Sequence, residues 1–175
     1  MMCKSRDNND LQIRPAKDDD AECLWEWAND PVTRQNSFDT EPISWKTHQT
    51  WYAARLSSPD TRMWILELRG QPVGQIRYDR TDVDTAQISF SIAPKFRGRS
   101  LGSNILCLSL DLAGRELQVR WVEGAVFQEN QGSINAFVKS GFELVHKKTI
   151  AGHACLVFRH SCSRVGNGAC CASVH

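Results

Sequence analysis

The sequence predicts one mixed α/β (α+β) domain: a mostly antiparallel central sheet flanked by helices, with one parallel strand pair. Three observations predict it. Met63–Leu68 and Gln71–Tyr78, separated by Arg69-Gly70, read as a β-hairpin, and Thr85–Ile92, with apolar and polar residues alternating, as a third strand of the same antiparallel run. One helical period, from about Ser100 to Glu116, separates the third strand from another at Val119–Phe127. A helix joining consecutive strands is a crossover, and a crossover places them parallel.

The other elements follow in order. Residues 1–10 are polar and are expected to be disordered. Leu11 to Arg14 alternates as a first strand, which Pro15 ends. Asp18 to Asp20 can cap a helix with Leu24, Trp27 and Ala28 on its apolar face. That helix stops at Asn29, Asp30 and Pro31, and a polar loop, Val32 to Pro42, follows. Ser44 can cap a second helix running to about Leu56. Its Trp45, His48, Trp51 and Tyr52 suit either a core or the wall of a site for a polar substrate. Within Thr85–Ile92, Ile88, Phe90 and Ile92 share one face, and Gln87, Ser89 and Ser91 the other. In the crossover helix, Leu101, Ile105, Leu108 and Leu112 form the expected apolar face. Asn130 and Ser133 open a helix to Ser140, and Gly141 is a helix C-terminal signal. Phe142–Ile150 and Cys155–His160 close the sheet as a strand pair. The domain spans residues 11–160, and residues 161–175 read as a flexible tail.

Composition narrows the function. The chain has 175 residues, 41% of them hydrophobic and 23% charged, with a formal net charge of +1. That balance argues against a nucleic-acid binder, which carries a basic patch. No apolar run reaches membrane-span length, and the N-terminus lacks a signal-peptide core. The expectation is a cytoplasmic protein; a homodimer stays open. The seven cysteines match neither a disulfide scaffold nor a familiar zinc spacing. Cys107 and Cys155 read as buried small hydrophobes. Cys162, Cys170 and Cys171 fall in the tail near His160 and His175, and no metal centre is expected.

The most informative stretch is Phe90 to Gly102. A strand ends at Ile92, a basic turn runs from Arg97 to Gly102, and a helix begins. Free amide groups and the positive end of the helix dipole make such a junction an anion site, to which Arg97 and Arg99 add charge. A phosphate or pyrophosphate is the natural occupant. The turn lacks the lysine and hydroxyl of a P-loop, and Gly98 and Gly102 do not fit a Rossmann fingerprint.

The turn resembles the acyl-CoA loop [Q/R]-x-x-G-x-[G/A] of the GNAT superfamily of N-acetyltransferases. Arg97 occupies the first position and Gly102 the last, while Ser100 replaces the central glycine. Asn130, Ser133, Phe137, Lys139, Gly141 and Phe142 match the second signature, N-x-x-S-x-x-x-[YF]-x-K-x-G-F. The resemblance covers about Leu11 to His160. It implies a sheet whose parallel pair splays at the acyl-CoA site, and acetyl-CoA as co-substrate without a metal. It places backbone of Phe90, Ser91 and Ile92 at the acetyl group and pantetheine arm. Arg97, Gly98, Arg99, Ser100, Leu101 and Gly102 would hold the pyrophosphate, and Asn130 and Ser133 the pantetheine–adenosine side. Helix capping is an equally good role for the last two.

Trp27 to Pro31, Arg34, Ser37, Ile43, His48 and Trp51 resemble a narrower group that acetylates amino-sugar nucleotides. The nearest type acts on a UDP-linked 4-amino-dideoxy sugar on the pseudaminic-acid route. That implies a small primary amine as substrate, a sugar nucleotide, with Asn29, Arg34, His48, Trp51, Gln87 and Ser89 as its contacts. Acetylation of a protein N-terminus is the second reading, and a non-catalytic acyl-CoA-binding module the third.

Acetyl transfer from a thioester needs a neutral amine, donors for the oxyanion and a proton for the thiolate. The resemblance puts the oxyanion donor at a strand N–H near Phe90. It puts one family glutamate at Gln87 and another at Ala125, and the family tyrosine at Phe137; none of these three can move a proton. Glu123, Tyr78 and His48 are the substitute candidates. Each also has a bland place, as a surface group or strand filler. Proximity with water as the base is the other route, and the expectation combines the two.

Overall fold

A computed structural model describes residues 10–162. The expected disordered N-terminus and tail lie outside it except for Asp10, Ser161 and Cys162; Cys170, Cys171 and His175 lie outside entirely.

The elements are β1 (Leu11–Pro15), α1 (Ala21–Ala28), α2 (Pro31–Gln35), α3 (Trp45–Ser57), β2 (Thr61–Leu68), β3 (Gln71–Arg80) and β4 (Thr85–Ile92). Then come α4 (Leu101–Leu117), β5 (Trp121–Phe127), α5 (Gln131–Lys139), β6 (Glu143–Ile150) and β7 (His153–Ser161). The seven strands form one sheet in the order β1-β2-β3-β4-β5-β7-β6. Every neighbouring pair is antiparallel except β4 and β5. This is the mixed sheet expected from the crossover.

Local signals explain most boundaries. Arg69 and Gly70 both have positive φ, 53° and 77°, the geometry a two-residue hairpin turn requires. Ser44 accepts from the Thr47 N–H and starts α3, and Asn130 accepts from the Ser133 N–H and starts α5. One element was not expected. Part of the polar loop 32–42 is helical, because Pro31 sits in the first turn and Asp30 caps it by accepting from the Thr33 N–H at 3.1 Å.

The sheet is covered on both faces. Helices α4 and α5 bury Leu101, Ile105, Leu106, Ala136 and Phe137 against Trp64, Leu66, Ile76, Tyr78 and Val122. Helices α1 and α3 bury Leu24 and Tyr52 against Met63 and Ile65. Each fully buried large apolar side chain contributes about 1.5–3 kcal/mol. The inward face of α4 differs from the expected one. Ile105, Leu106, Ser109, Leu110, Ala113 and Leu117 turn inward, while Leu108 and Cys107 are exposed. Cys162 is buried rather than part of a tail, because it packs where a Cβ on Gly114 would stand, 2.6 Å from its own Cβ.

One irregularity positions everything functional. Strands β4 and β5 pair only over Thr85–Gln87 and Trp121–Glu123. Beyond that they part, while β4 stays on β3 to Ile92 and β5 stays on β7 to Phe127. Phe137 of α5 stands at the opening. Its ring meets Phe90 of β4 edge-on at 5.7 Å and stacks on Phe158 of β7 at 5.4 Å. On β5 it lies over Gly124, where a Cβ would fall 2.2 Å from Cζ. A large ring therefore occupies the space a side chain on β5 would need, and it touches both β4 and β7 across the opening.

Candidate active site

The splay opens into a cleft of about 1230 Å³. Its first wall is β4. The Ala93 N–H donates to Val73 O on β3 at 2.9 Å. Amide direction alternates along a strand. The N–H groups of Phe90 and Ile92, beyond the last β4–β5 pair, therefore point away from β3, into the opening. Next comes the turn. Gly98 has φ 78° and Ser100 has φ 60°, so the chain folds tightly before α4. Ser100 occupies the N-cap position of α4 without a side-chain cap bond. Gly102 keeps the helix start close to its neighbours. A Cβ there would stand 3.1 Å from the Ala136 Cβ and 3.3 Å from the Phe90 ring. The turn thus presents amides and a helix N-terminus to the cleft. Asn130 and Ser133 line the same end while Asn130 caps α5.

The other end has a polar floor. Gln75, Arg77 and Asp79 of β3 stand opposite Ser91, Ser89 and Gln87 of β4. Gln87 in turn stands opposite Glu123 of β5, the last register before the splay. All seven line the cleft, with His48 and Trp51 of α3 on the wall. Asp79 accepts from Arg77 at 2.6 Å, from Thr61 at 2.8 Å and from Arg55 at 3.2 Å. The Arg77 guanidinium also lies 4.9 Å from the centre of the Trp51 ring. Glu123 accepts from Arg159 Nε at 2.7 Å, so its carboxylate is ion-paired.

Over this end runs the segment between α2 and α3. Arg34 organises it, donating to Ala28 O, Asp39 O, Glu41 O and Ser37 Oγ. Phe38 reaches from this segment to Phe127 at the end of β5, ring against ring at 5.2 Å.

Residues 10–143 match the family described as Acetyltransferase (GNAT) domain. The chain belongs to the GNAT acetyltransferase family. It is an N-acetyltransferase with acetyl-CoA as its acyl donor. A sequence comparison with curated proteins returned no match. Among solved structures, the fold is similar to a spermidine N-acetyltransferase from Vibrio cholerae in complex with CoA and spermine. The TM-score is 0.77 at 17% identity, over 90% of this chain and 98% of that one. It is also similar to a ribosomal L7/L12 alpha-N-protein acetyltransferase in complex with coenzyme A, with TM-score 0.75, 14% identity and coverage of 87% and 94%. A third is the aminoglycoside acetyltransferase AAC(6')-Ib in complex with coenzyme A, with TM-score 0.73, 18% identity and coverage of 86% and 94%. At these identities the likeness is one of fold.

The residues present fit an acyl-CoA of this family. Free strand amides face the splay, and the close approach at Gly102 brings the α4 N-terminus to the same cleft. Several expected roles need correction. Tyr78 is fully buried and makes a 2.8 Å hydrogen bond with Ser109 Oγ beneath α4; its burial pushes the phenol pKa up. It faces away from the cleft, so it is no acid for this reaction. Asn29 is likewise occupied: its amide donates to Trp25 O and Ile43 O and accepts from the Ile43 N–H. Arg34 lines the cleft, but its guanidinium is committed to the carbonyls named above. Arg97 is turned away from the turn it belongs to. Its Nε donates to Ile92 O at 3.2 Å, and its Nη2 meets Asp30 Oδ1 at 2.7 Å and Thr33 Oγ1 at 2.9 Å. The cation expected at the pyrophosphate is a tie to α2.

His48 is 3% exposed, and its Nε2 has no partner among the described residues. Burial pulls its pKa below 6.5, opposed by a bond with the Ala21 backbone. The ring is therefore neutral at pH 7. Sequence reasoning missed Arg77 and Asp79. Their signal was a strand in the middle of the sheet with a polar residue at every second position, Gln75, Arg77 and Asp79. Among the described residues no group of three or more His, Cys, Asp or Glu is arranged to hold a metal ion. No described helix is long and apolar enough to cross a membrane.

Proposed function

We propose that this N-acetyltransferase acts on the primary amine of a small polar molecule, an amino sugar carried on a nucleotide. The polar floor carries the reading. Gln75, Gln87, Ser89 and Ser91 offer amide and hydroxyl groups suited to a polyhydroxylated ring. Trp51 supplies a flat apolar surface beside them. Arg77, stacked on Trp51, takes the anion-facing role expected of Arg34. The segment bearing Phe38 encloses this end, which suits a small acceptor better than the terminus of a folded protein. Similar folds serve spermidine and aminoglycosides, both small amines.

Acetyl-CoA supplies the activated acyl group. The chain's residues orient the acceptor, exclude water and receive its proton. Glu123 is the group for the last step. It stands at the final β4–β5 register, where the splay begins, and its ion pair with Arg159 holds it in place. A proton from the acceptor ammonium can pass to it through one water; such general-base help contributes about 10²–10⁴-fold.

The test is an acceptor panel followed by thiol release: a UDP-linked 4-amino sugar, spermidine, an aminoglycoside and a short peptide with a free N-terminus. The sugar nucleotide should show the highest kcat/KM. A peptide or polyamine preferred by about tenfold or more (about 1.4 kcal/mol) would overturn the assignment.

A further inference from the structure

The tie made by Arg97 joins two parts of the cleft that the sequence keeps far apart. On one side lies the end of β4, through Ile92 O, and with it the 97–102 turn. On the other lies the first turn of α2, through Asp30 and Thr33. Asp30 is only 16% exposed at its side chain, and it also caps α2. Burial raises its pKa, but bonds from Arg97 and Thr33 outweigh that and hold the carboxyl below its usual range. From α2 the connection continues. Arg34 lies one residue beyond Thr33, and its bonds to Ser37, Asp39 and Glu41 shape the segment that carries Phe38 against Phe127.

We propose that the Asp30–Arg97 pair is a clasp through which acetyl-CoA seated at the 97–102 turn sets the segment over the acceptor end. Asp30 and Arg97 are then positioning residues. Arg97 holds the turn in the shape whose amides face the cleft, and Asp30 holds Arg97. When the turn is occupied, that shape dominates, and the clasp passes the preference to α2 and residues 36–43. When the clasp is cut, the turn samples other shapes. Apparent affinity falls by the fraction of time the competent shape is lost. The inference rests on the family assignment of acetyl-CoA as co-substrate, and it needs no knowledge of the acceptor.

Calorimetry with acetyl-CoA tests it on the wild type, Asp30→Asn, Arg97→Ala and the double variant. Asparagine is a good N-cap, so Asp30→Asn removes the charge while α2 keeps its cap. Each single variant should bind acetyl-CoA about fivefold more weakly, and the double about fivefold rather than 25-fold, because the same charge pair is lost in all three. Hydrogen exchange supplies the second readout. Acetyl-CoA should slow exchange across residues 31–43 in the wild type and lose that effect in Asp30→Asn, with the melting temperature of the ligand-free proteins compared alongside. If Asp30→Asn binds as tightly as the wild type, or more tightly because Arg97 is released toward the pyrophosphate, the clasp is wrong. Multiplicative losses in the double variant would also overturn it. Failure of the wild type to bind acetyl-CoA would instead sink the reading of the cleft.

Discussion

Replacing Ser100 by glycine should stabilise the protein while leaving the acetyl-CoA turn in place. Ser100 adopts φ 60° and ψ 13°, the left-handed region. A side chain there costs about 1–2 kcal/mol through its Cβ. The hydroxyl makes no cap bond to α4, so none is lost on substitution. The Ser100 carbonyl, which accepts from Ser103 Oγ at 2.8 Å, is kept by any residue. Glycine brings its own cost of about 0.5–1 kcal/mol, from extra freedom in the unfolded chain. The net gain is about 0.5–1 kcal/mol, which shifts Tm by roughly 2 °C in a domain of this size. Thermal and urea unfolding measure it. Ser100→Ala is the control: it keeps the strain, loses only the hydroxyl, and should stay within about 0.5 kcal/mol of the wild type. A glycine variant melting at or below the wild type would refute the strain argument. An alanine variant losing more than about 1 kcal/mol would show that the hydroxyl makes a bond worth that much.

Four further predictions follow from the same geometry. Tyr78→Phe should leave kcat and both KM values unchanged, and should cost about 1–2 kcal/mol in urea unfolding because one buried hydrogen bond is lost. Glu123→Gln should lower kcat about 100-fold near neutral pH and less at high pH, where the amine is already neutral; an unchanged pH–rate profile would remove Glu123 from the proton path. Gly124→Ala should cost about 3 kcal/mol, since its Cβ would fall 2.2 Å from Phe137 Cζ and the ring must move; a variant as stable as the wild type would mean the ring is loosely held there. Below pH 6.5 the unfolded chain binds a proton at His48 that the folded chain resists, so stability should fall with falling pH from there, by at most about 1.4 kcal/mol per unit. His48→Gln should flatten that part of the curve in urea titrations at pH 5.5 and 7.5, and an unaltered curve would assign the dependence elsewhere.

Elements with local causes were legible in the sequence. Ser44, Asn130 and the Arg69-Gly70 turn act on their immediate neighbours, and the strand alternation of Thr85–Ile92 reports burial directly. Asp30 and Pro31 carried the start of α2, but five residues give too little periodicity to stand out against a polar loop. The face of α4 was harder to read. Leu108 and Ile105 are both apolar and three apart, so the pattern allows a stripe through either. Only packing against the β-sheet selects Leu106 and Leu110. Cys162 shows the same limit, because its burial depends on Gly114, far away in the chain.

The site divides along the same line. Backbone features of the acyl-CoA turn follow from glycines, a helix start and a strand end, and these are local. Charged side chains do not obey that rule, since a long arginine goes wherever its best partner lies. Arg97 belongs to the turn by sequence and to Asp30 by contact. Arg34 belongs to a substrate wall by sequence, and by contact to the end of α1 and to three groups of the segment after α2. Phe137 makes the point most sharply. At the position where the resemblance puts a tyrosine acid, this chain places a phenylalanine ring over Gly124. A Cβ on residue 124 and the ring of residue 137 exclude each other, so glycine and phenylalanine at these two positions form one device. That pair of residues sits beside the point where β4 and β5 part. Glu123, one residue before Gly124, stands at the last β4–β5 pair on the floor of the opening, which is why the proposed proton path runs through it.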